Sequence, residues 1–185
     1  MADVEAKFAR VTSVTANSGG GETRLLSPGT ANTDYKGVLI IPRGGINVGD
    51  VFRIIAWGRT TNAGMMNGTA RLKLYFNPNA ALNNPIADSG ATGPVLTLGI
   101  SNTEWHFFAQ ITIRTLGANV TAWCDSMFEN LRPPNNDYNW MCGLGAMAID
   151  TTVDTNKFEL TANVANNGSF VLDQCSIERL PFPTG

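Results

Sequence analysis

Apolar and polar residues alternate with a period of two along most of this chain. In Ala70–Phe76, Leu72, Leu74 and Phe76 point one way and Arg71, Lys73 and Tyr75 the other. In Trp105–Thr115, Trp105, Phe107, Ala109, Ile111 and Ile113 share a face. His106, Gln110, Thr112 and Arg114 oppose them, with Phe108 the single exception. Lys157–Val164 sets Phe158, Leu160, Ala162 and Val164 against Lys157, Glu159, Thr161 and Asn163. Phe170–Leu180 is looser, with Val171, Cys175 and Ile177 expected on one face. Successive strand side chains point to opposite faces, so this pattern predicts sheets with one dry and one wet face. It leaves little room for a helical scaffold and places function on a surface rather than in a catalytic pocket.

A length of 185 residues suffices for one domain with a real core, or one domain plus an arm. Charged residues make up 15%, against about 25% in an average soluble protein. Asn, Thr, Ser and Gly, which favour turns and β surfaces, fill the difference. The net charge is −2, and the basic residues are scattered, which argues against nucleic acid or an anionic membrane as partner. The three cysteines, Cys124, Cys142 and Cys175, show no zinc spacing and fall in apolar strands. They are expected as small buried hydrophobes in a protein made in a reducing cytosol. Met1–Arg10 carries Asp3, Glu5, Lys7 and Arg10 and has no apolar run of signal-peptide length.

Along the chain, Phe8–Thr15 reads as one strand through Phe8, Val11 and Val14. Ala16–Gly21 reads as a flexible linker, and Thr23–Leu26 as a weak second strand. These pieces have too little apolar surface to fold alone. Strands are then expected at Lys36–Ile41, Val51–Trp57, Ala70–Phe76, Val95–Ile100, Trp105–Thr115, Asn119–Phe128, Met141–Ile149, Lys157–Val164 and Ser169–Leu180. Turn chemistry separates them, with Asn166-Asn167-Gly168 reading as a hairpin. Long connections at Trp57–Thr69, Asn77–Pro94 and Asn130–Trp140 favour crossovers between two sheets over an up-and-down barrel. The expectation is an all-β, jelly-roll-like antiparallel β-sandwich over residues 46–185, with an extended N-terminal arm over residues 1–45.

Catalytic patterns are thin. His106, the one histidine, faces outward with no nucleophile motif beside it. Nothing in the spacing of Asp125, Glu129, Asp150 and Asp154 singles out a glycosidase pair. Asp150–Asn156 is oxygen-rich but lacks the calcium-loop pattern and reads as a turn. Gly19-Gly20-Gly21 is followed by no Lys-Ser or Lys-Thr, so it is no phosphate loop. Neither an enzymatic activity nor a cofactor or metal is expected. Trp105 reads as core, and Trp123 fits either core or surface. Tyr138 and Trp140, at the end of the polar loop from Arg132, are candidate contacts for a ligand or partner.

Several segments resemble the small jelly-roll structural proteins of tailed-bacteriophage virions. These are Gly49-Asp50-Val51-Phe52-Arg53-Ile54 leading to Trp57-Gly58, Trp105-His106-Phe107, and Ile111-Thr112-Ile113-Arg114-Thr115-Leu116-Gly117. Phe158-Glu159-Leu160-Thr161-Ala162 and Ile177-Glu178-Arg179-Leu180 follow. The resemblance covers roughly residues 46–180 and carries over no catalytic residue. It implies a capsid decoration (cement) protein, or alternatively a receptor- or glycan-binding tip of a head or tail fibre. The implied partners are the major capsid protein of the same particle and a homotrimer of itself, with a host-surface glycan in the alternative. The implied location is the capsid surface after synthesis in the host cytoplasm. On this reading Phe8, Val11, Val14, Arg24, Leu25 and Leu26 of the arm touch the shell or a neighbouring subunit. Arg132, Tyr138 and Trp140 face outward or cap an end.

Overall fold

The structure is a computed structural model, and it describes residues 5–9, 13–26, 41–62, 68–77, 84–90, 95–96, 100–117, 121–131, 137–143, 152 and 155–180. Among these residues the protein is all-β. The strands are β1 (Glu5–Ala9), β2 (Val14–Asn17), β3 (Glu22–Leu26), β4 (Ile41–Pro42), β5 (Val51–Asn62), β6 (Gly68–Phe76) and β7 (Ala87–Asp88). They continue with β8 (Val95–Leu96), β9 (Ile100–Ile113), β10 (Ala122–Asn130), β11 (Asp137–Gly143), β12 (Thr155–Asn156), β13 (Phe158–Ala165) and β14 (Ser169–Leu180). The larger sheet runs β1-β14-β5-β9-β10-β11, with β2 also on β14. The smaller runs β3-β13-β6-β7, with β8 also on β6, and β4 pairs with β12. Every pairing is antiparallel, and the two sheets pack together as a β-sandwich.

Consecutive strands repeatedly leave for opposite sheets: β2 and β3, β5 and β6, β13 and β14. This corrects the hairpin expected at Asn166-Asn167-Gly168, which is instead a corner where the chain crosses the sandwich. Asn166 at φ 68° and Gly168 at φ 112° make the sharp bend, but turn chemistry does not specify which strand will be the partner. The tract 18–21 makes a similar crossing between β2 and β3, and Ser18 N donates to Gly168 O at 3.2 Å, so two corners lie together. A hairpin does form between β9 and β10. There Arg114 N and Thr115 N both donate to Thr121 O, at 2.8 and 3.1 Å.

The first strands are not a separate piece. β1 and β2 lie along the outer side of β14, and β3 lies along β13, so this part of the chain supplies edges to both sheets. The strand expected at Met141–Ile149 overlaps β11, which spans Asp137–Gly143 and pairs with β10, while residues 144–149 lie outside the described residues. Of the strand expected at Lys36–Ile41, residues 36–40 lie outside the described residues, as do Asp150 and Asp154.

The core lies between the facing sheets. Phe52 of the larger sheet meets Phe158 of the smaller at 5.2 Å, joining the layers, and Phe76 packs on Phe158 within the smaller sheet at 4.9 Å. Trp105 stacks on Phe170 at 4.4 Å, and Phe128 sets its edge against both rings. Offset and edge-on aromatic contacts add to the gain from area burial. Cys124 and Cys175 are buried, and burial pushes the Cys175 thiol up to about 12.

A bulge in β14 changes the expected face of one residue. The register on β5 shifts between Leu172 and Gln174. Phe170 and Leu172 therefore point into the core before the bulge, and Cys175 and Ile177 after it. Val171 is not on the face of Cys175 and Ile177, because the extra residue, Asp173, inverts the alternation. Across this point Trp105 Nε1 donates to Val171 O at 2.9 Å. Gly58, opposite Trp105 in the ladder, makes room for that approach. A Cβ on Gly58 would lie 1.8 Å from Val171 O and 2.9 Å from Trp105 Nε1. Gly58→Ala is expected to destabilise the fold by about 3 kcal/mol, the upper range for overpacking a tight core. Urea unfolding measures this, and an unchanged midpoint would show that the strands can move apart there.

Candidate functional site

The outer face of the larger sheet is not uniformly polar. Registers across β14, β5, β9 and β10 place Ser176, Ile55, Phe108 and Met127 in one row. The backbone registers of the two edge strands put Phe8 and Trp140 at the ends of the same row. The adjacent row holds Gln174, Trp57, His106 and Glu129, with Tyr138 at its β11 position. Phe108, the one break in its strand's alternation, thus belongs to an apolar row that crosses the sheet.

Ile55, Trp57, Phe108 and Met127 are half-buried and floor an open groove of about 550 Å³. That volume falls within the usual range for small-ligand sites. The groove's rim is polar. Arg59 donates to both carboxylate oxygens of Asp173, at 2.6 and 2.8 Å. Asp173 also accepts from Ser13 Oγ at 3.0 Å. The Arg59 hydrogen bonds hold the Asp173 carboxyl below its ordinary value, and the Arg59 guanidinium is raised in turn. Exposed Glu104 is the ladder partner of Arg59 and exposed His106 that of Trp57, and His106 Nδ1 lies 3.9 Å from Glu129 Oε2. The bulge supplies Asp173 to this rim, so a core distortion shapes a surface feature.

A second surface lies where β5 begins and the β9–β10 hairpin turns. Val48 (54% exposed), Leu116 (48%) and Trp123 (54%) are the large hydrophobics most open to solvent among the described residues. Gly49 N donates to Ile113 O at 2.8 Å, which brings the Val48 loop to the hairpin. The Arg114 guanidinium lies 5.9 Å from the centre of the Trp123 ring.

The expected contact residues divide between core and surface. Leu25 and Leu26 are buried at 1% and 2% exposure, a correction to their expected role: they pack in the core and are unavailable to a partner. Val14 packs against the core from its rim. Arg24 pairs with buried Glu159 at 3.0 Å. Tyr138 and Trp140 belong to a strand rather than to a projecting loop, and β10 pairs with both. Phe8 has a backbone position in β1, while Val11 and Arg132 lie outside the described residues. Sequence reasoning missed the groove because its floor comes from three strands, and only Phe108 broke the local pattern. Thr155 and Asn156 of the oxygen-rich loop form β12, and Asn156 Nδ2 donates to Ile41 O at 3.2 Å.

The wet face of the smaller sheet carries a charge network that holds β3 in place. Glu22 accepts from Lys73 Nζ at 2.6 Å, Tyr75 Oη at 2.8 Å and Thr161 Oγ1 at 2.5 Å. Lys157 Nζ lies 2.9 Å from Glu159, and Arg71 pairs with Asp88. Burial alone would raise the Glu22 carboxyl, but its three hydrogen bonds outweigh it and leave the group below its ordinary value. Asp88 behaves alike: the Arg71 bonds and the Gly90 N–H overcome desolvation. Burial and the neighbouring Glu22 carboxylate push the Tyr75 hydroxyl upward.

No family model matches the chain, and no curated protein matches it.

Carboxylates depressed in the folded state contribute stability above their unfolded values and lose it as pH falls through the folded ones. Glu22, Asp88 and Asp173 all have this sign. The melting temperature should hold near neutrality and fall below about pH 4. Glu22→Gln should lower stability at pH 7 and flatten the acid limb. Thermal melts between neutral and acid pH read both effects, and an identical acid limb in the variant would remove Glu22 from the account.

Proposed function

We propose that this chain is a structural protein of a tailed-phage virion, a decoration protein that binds the assembled head as a homotrimer. Two features support the reading. The first is strand order. The path β2-β14-β5-β9 packs against β3-β13-β6-β7, and the chain crosses between layers from β2 to β3, β5 to β6 and β13 to β14, crossings that a jelly-roll reading calls for. The second, which carries most weight, is the exposed apolar trio Val48, Leu116 and Trp123 at the end of a rigid sandwich. Exposed aromatic anchors on a preorganised scaffold are the usual means of protein–protein contact.

A protein that binds only the assembled shell stabilises that shell by mass action. Trimers at three-fold points repeat each contact and convert weak seats into firm attachment. The strands β1 to β3 act here by completing the sandwich, so the apolar end makes the contact with the shell.

Light scattering of the purified chain, followed by co-sedimentation with empty shells, tests the proposal. The expected result is a trimer that pellets with shells and raises their melting temperature. Trp123→Ala should weaken binding by about 2 kcal/mol, the size of an interface hot spot, with its own melt unchanged. A monomer that stays in the supernatant would overturn the reading.

A further inference from the structure

We infer that the groove on the outer face of the larger sheet is a binding site for a neutral oligosaccharide. Its lining includes none of Val48, Leu116 and Trp123, and it does not depend on shell docking.

The floor provides the first reason. Phe108 lies between Ile55 and Met127, and Trp57 sits in the adjacent row on β5, both half-buried in their strands yet open above. A pyranose ring has an apolar C–H face that fits such a floor, and a flat aromatic surface accepts it without demanding an enclosed cavity. The volume of about 550 Å³ leaves room for more than one ring along the groove.

The rim provides the second. Arg59 and Asp173 are locked together through two hydrogen bonds, and Ser13 fixes the carboxylate further. Such a planar pair presents N–H donors and oxygen lone pairs side by side. It matches the spacing of vicinal hydroxyls, which both donate and accept. Because it is already paired, it is preorganised when a ligand arrives. Beside Arg59 and Trp57, their ladder partners Glu104 and His106 add exposed polar groups.

The charge balance provides the third. Arg59 and Asp173 neutralise one another, and Glu104, the cross-strand partner of Arg59, leaves a further carboxylate on the rim. An anionic sugar would meet these carboxylates, and a purely apolar ligand would leave the rim's hydrogen-bonding groups unanswered. A neutral, hydroxyl-rich ligand satisfies both floor and rim.

The test uses the full chain and a panel of neutral oligosaccharides ending in glucose, galactose, mannose or N-acetylglucosamine, with sialyllactose as the anionic comparison. Saturation-transfer NMR and tryptophan fluorescence read binding. At least one neutral sugar should bind, with chemical-shift changes at the Trp57 indole and the Phe108 amide. Trp57→Ala should weaken that binding by about tenfold, the loss of one stacking contact. Asp173→Asn should weaken it as well, and Trp123→Ala should leave it unchanged. Shift mapping on the unaltered protein keeps the test valid if Trp57→Ala does not fold. The inference is overturned if no neutral member binds, if only sialyllactose binds, or if shifts map outside the groove. Sugar binding without shell binding would leave this site standing and remove the decoration reading.

Discussion

The approach of Trp105 to β14 across Gly58 is the contact on which the rest of the larger sheet depends. The indole N–H needs an acceptor because the ring is fully buried. It reaches Val171 O only because β5 carries no side chain at position 58. The ring then stacks on Phe170 and meets the edge of Phe128, joining β9, β10 and β14 over the central strand. Two residues along β14 from that carbonyl comes the bulge that turns Asp173 outward to Arg59. One missing side chain thus governs core packing on one face and the groove's rim on the other.

The smaller sheet is secured differently. Its inner face is apolar, while its outer face holds ion pairs and hydrogen bonds among Glu22, Lys73, Tyr75, Thr161, Arg24 and Glu159. Glu159 and Thr161 are buried even though they lie on that outer face. Paired charges of this kind hold a strand in register, because a slip would leave buried charges without partners. The edge strand β3 is fixed in this way as well as by Leu25 and Leu26 in the core. Hence the sandwich has one face with an apolar belt and one closed by charge.

Much of the fold was legible in the chain. Leu72 and Leu74, Trp105, Phe107, Ala109, Ile111 and Ile113, and Phe158, Leu160, Ala162 and Val164 point inward as their alternation predicts. The errors share a physical cause. Val171 was assigned to the face of Cys175 because nothing local announces an inserted residue at Asp173. Asn166-Asn167-Gly168 carried the chemistry of a turn but not the identity of the strand that follows. Leu25 and Leu26, in a short polar stretch, looked like an arm because their neighbours in the core come from distant parts of the chain. The groove showed itself only in Phe108, since Ile55, Trp57 and Met127 become neighbours through pairing alone.

The sequence by itself determined that the chain forms strands, which residues within most of them face the core, and where the chain turns. Those properties depend on backbone geometry and side-chain burial over a few consecutive residues. Only the tertiary structure decided which sheet each strand joins, where the register shifts, and which side chains from separate strands meet. Those outcomes depend on long-range pairing: Gly58 with Trp105, Asp173 with Arg59, Ile55 and Met127 with Phe108. Because the surfaces assigned a role here are built across strands, they emerge only when the strands pair.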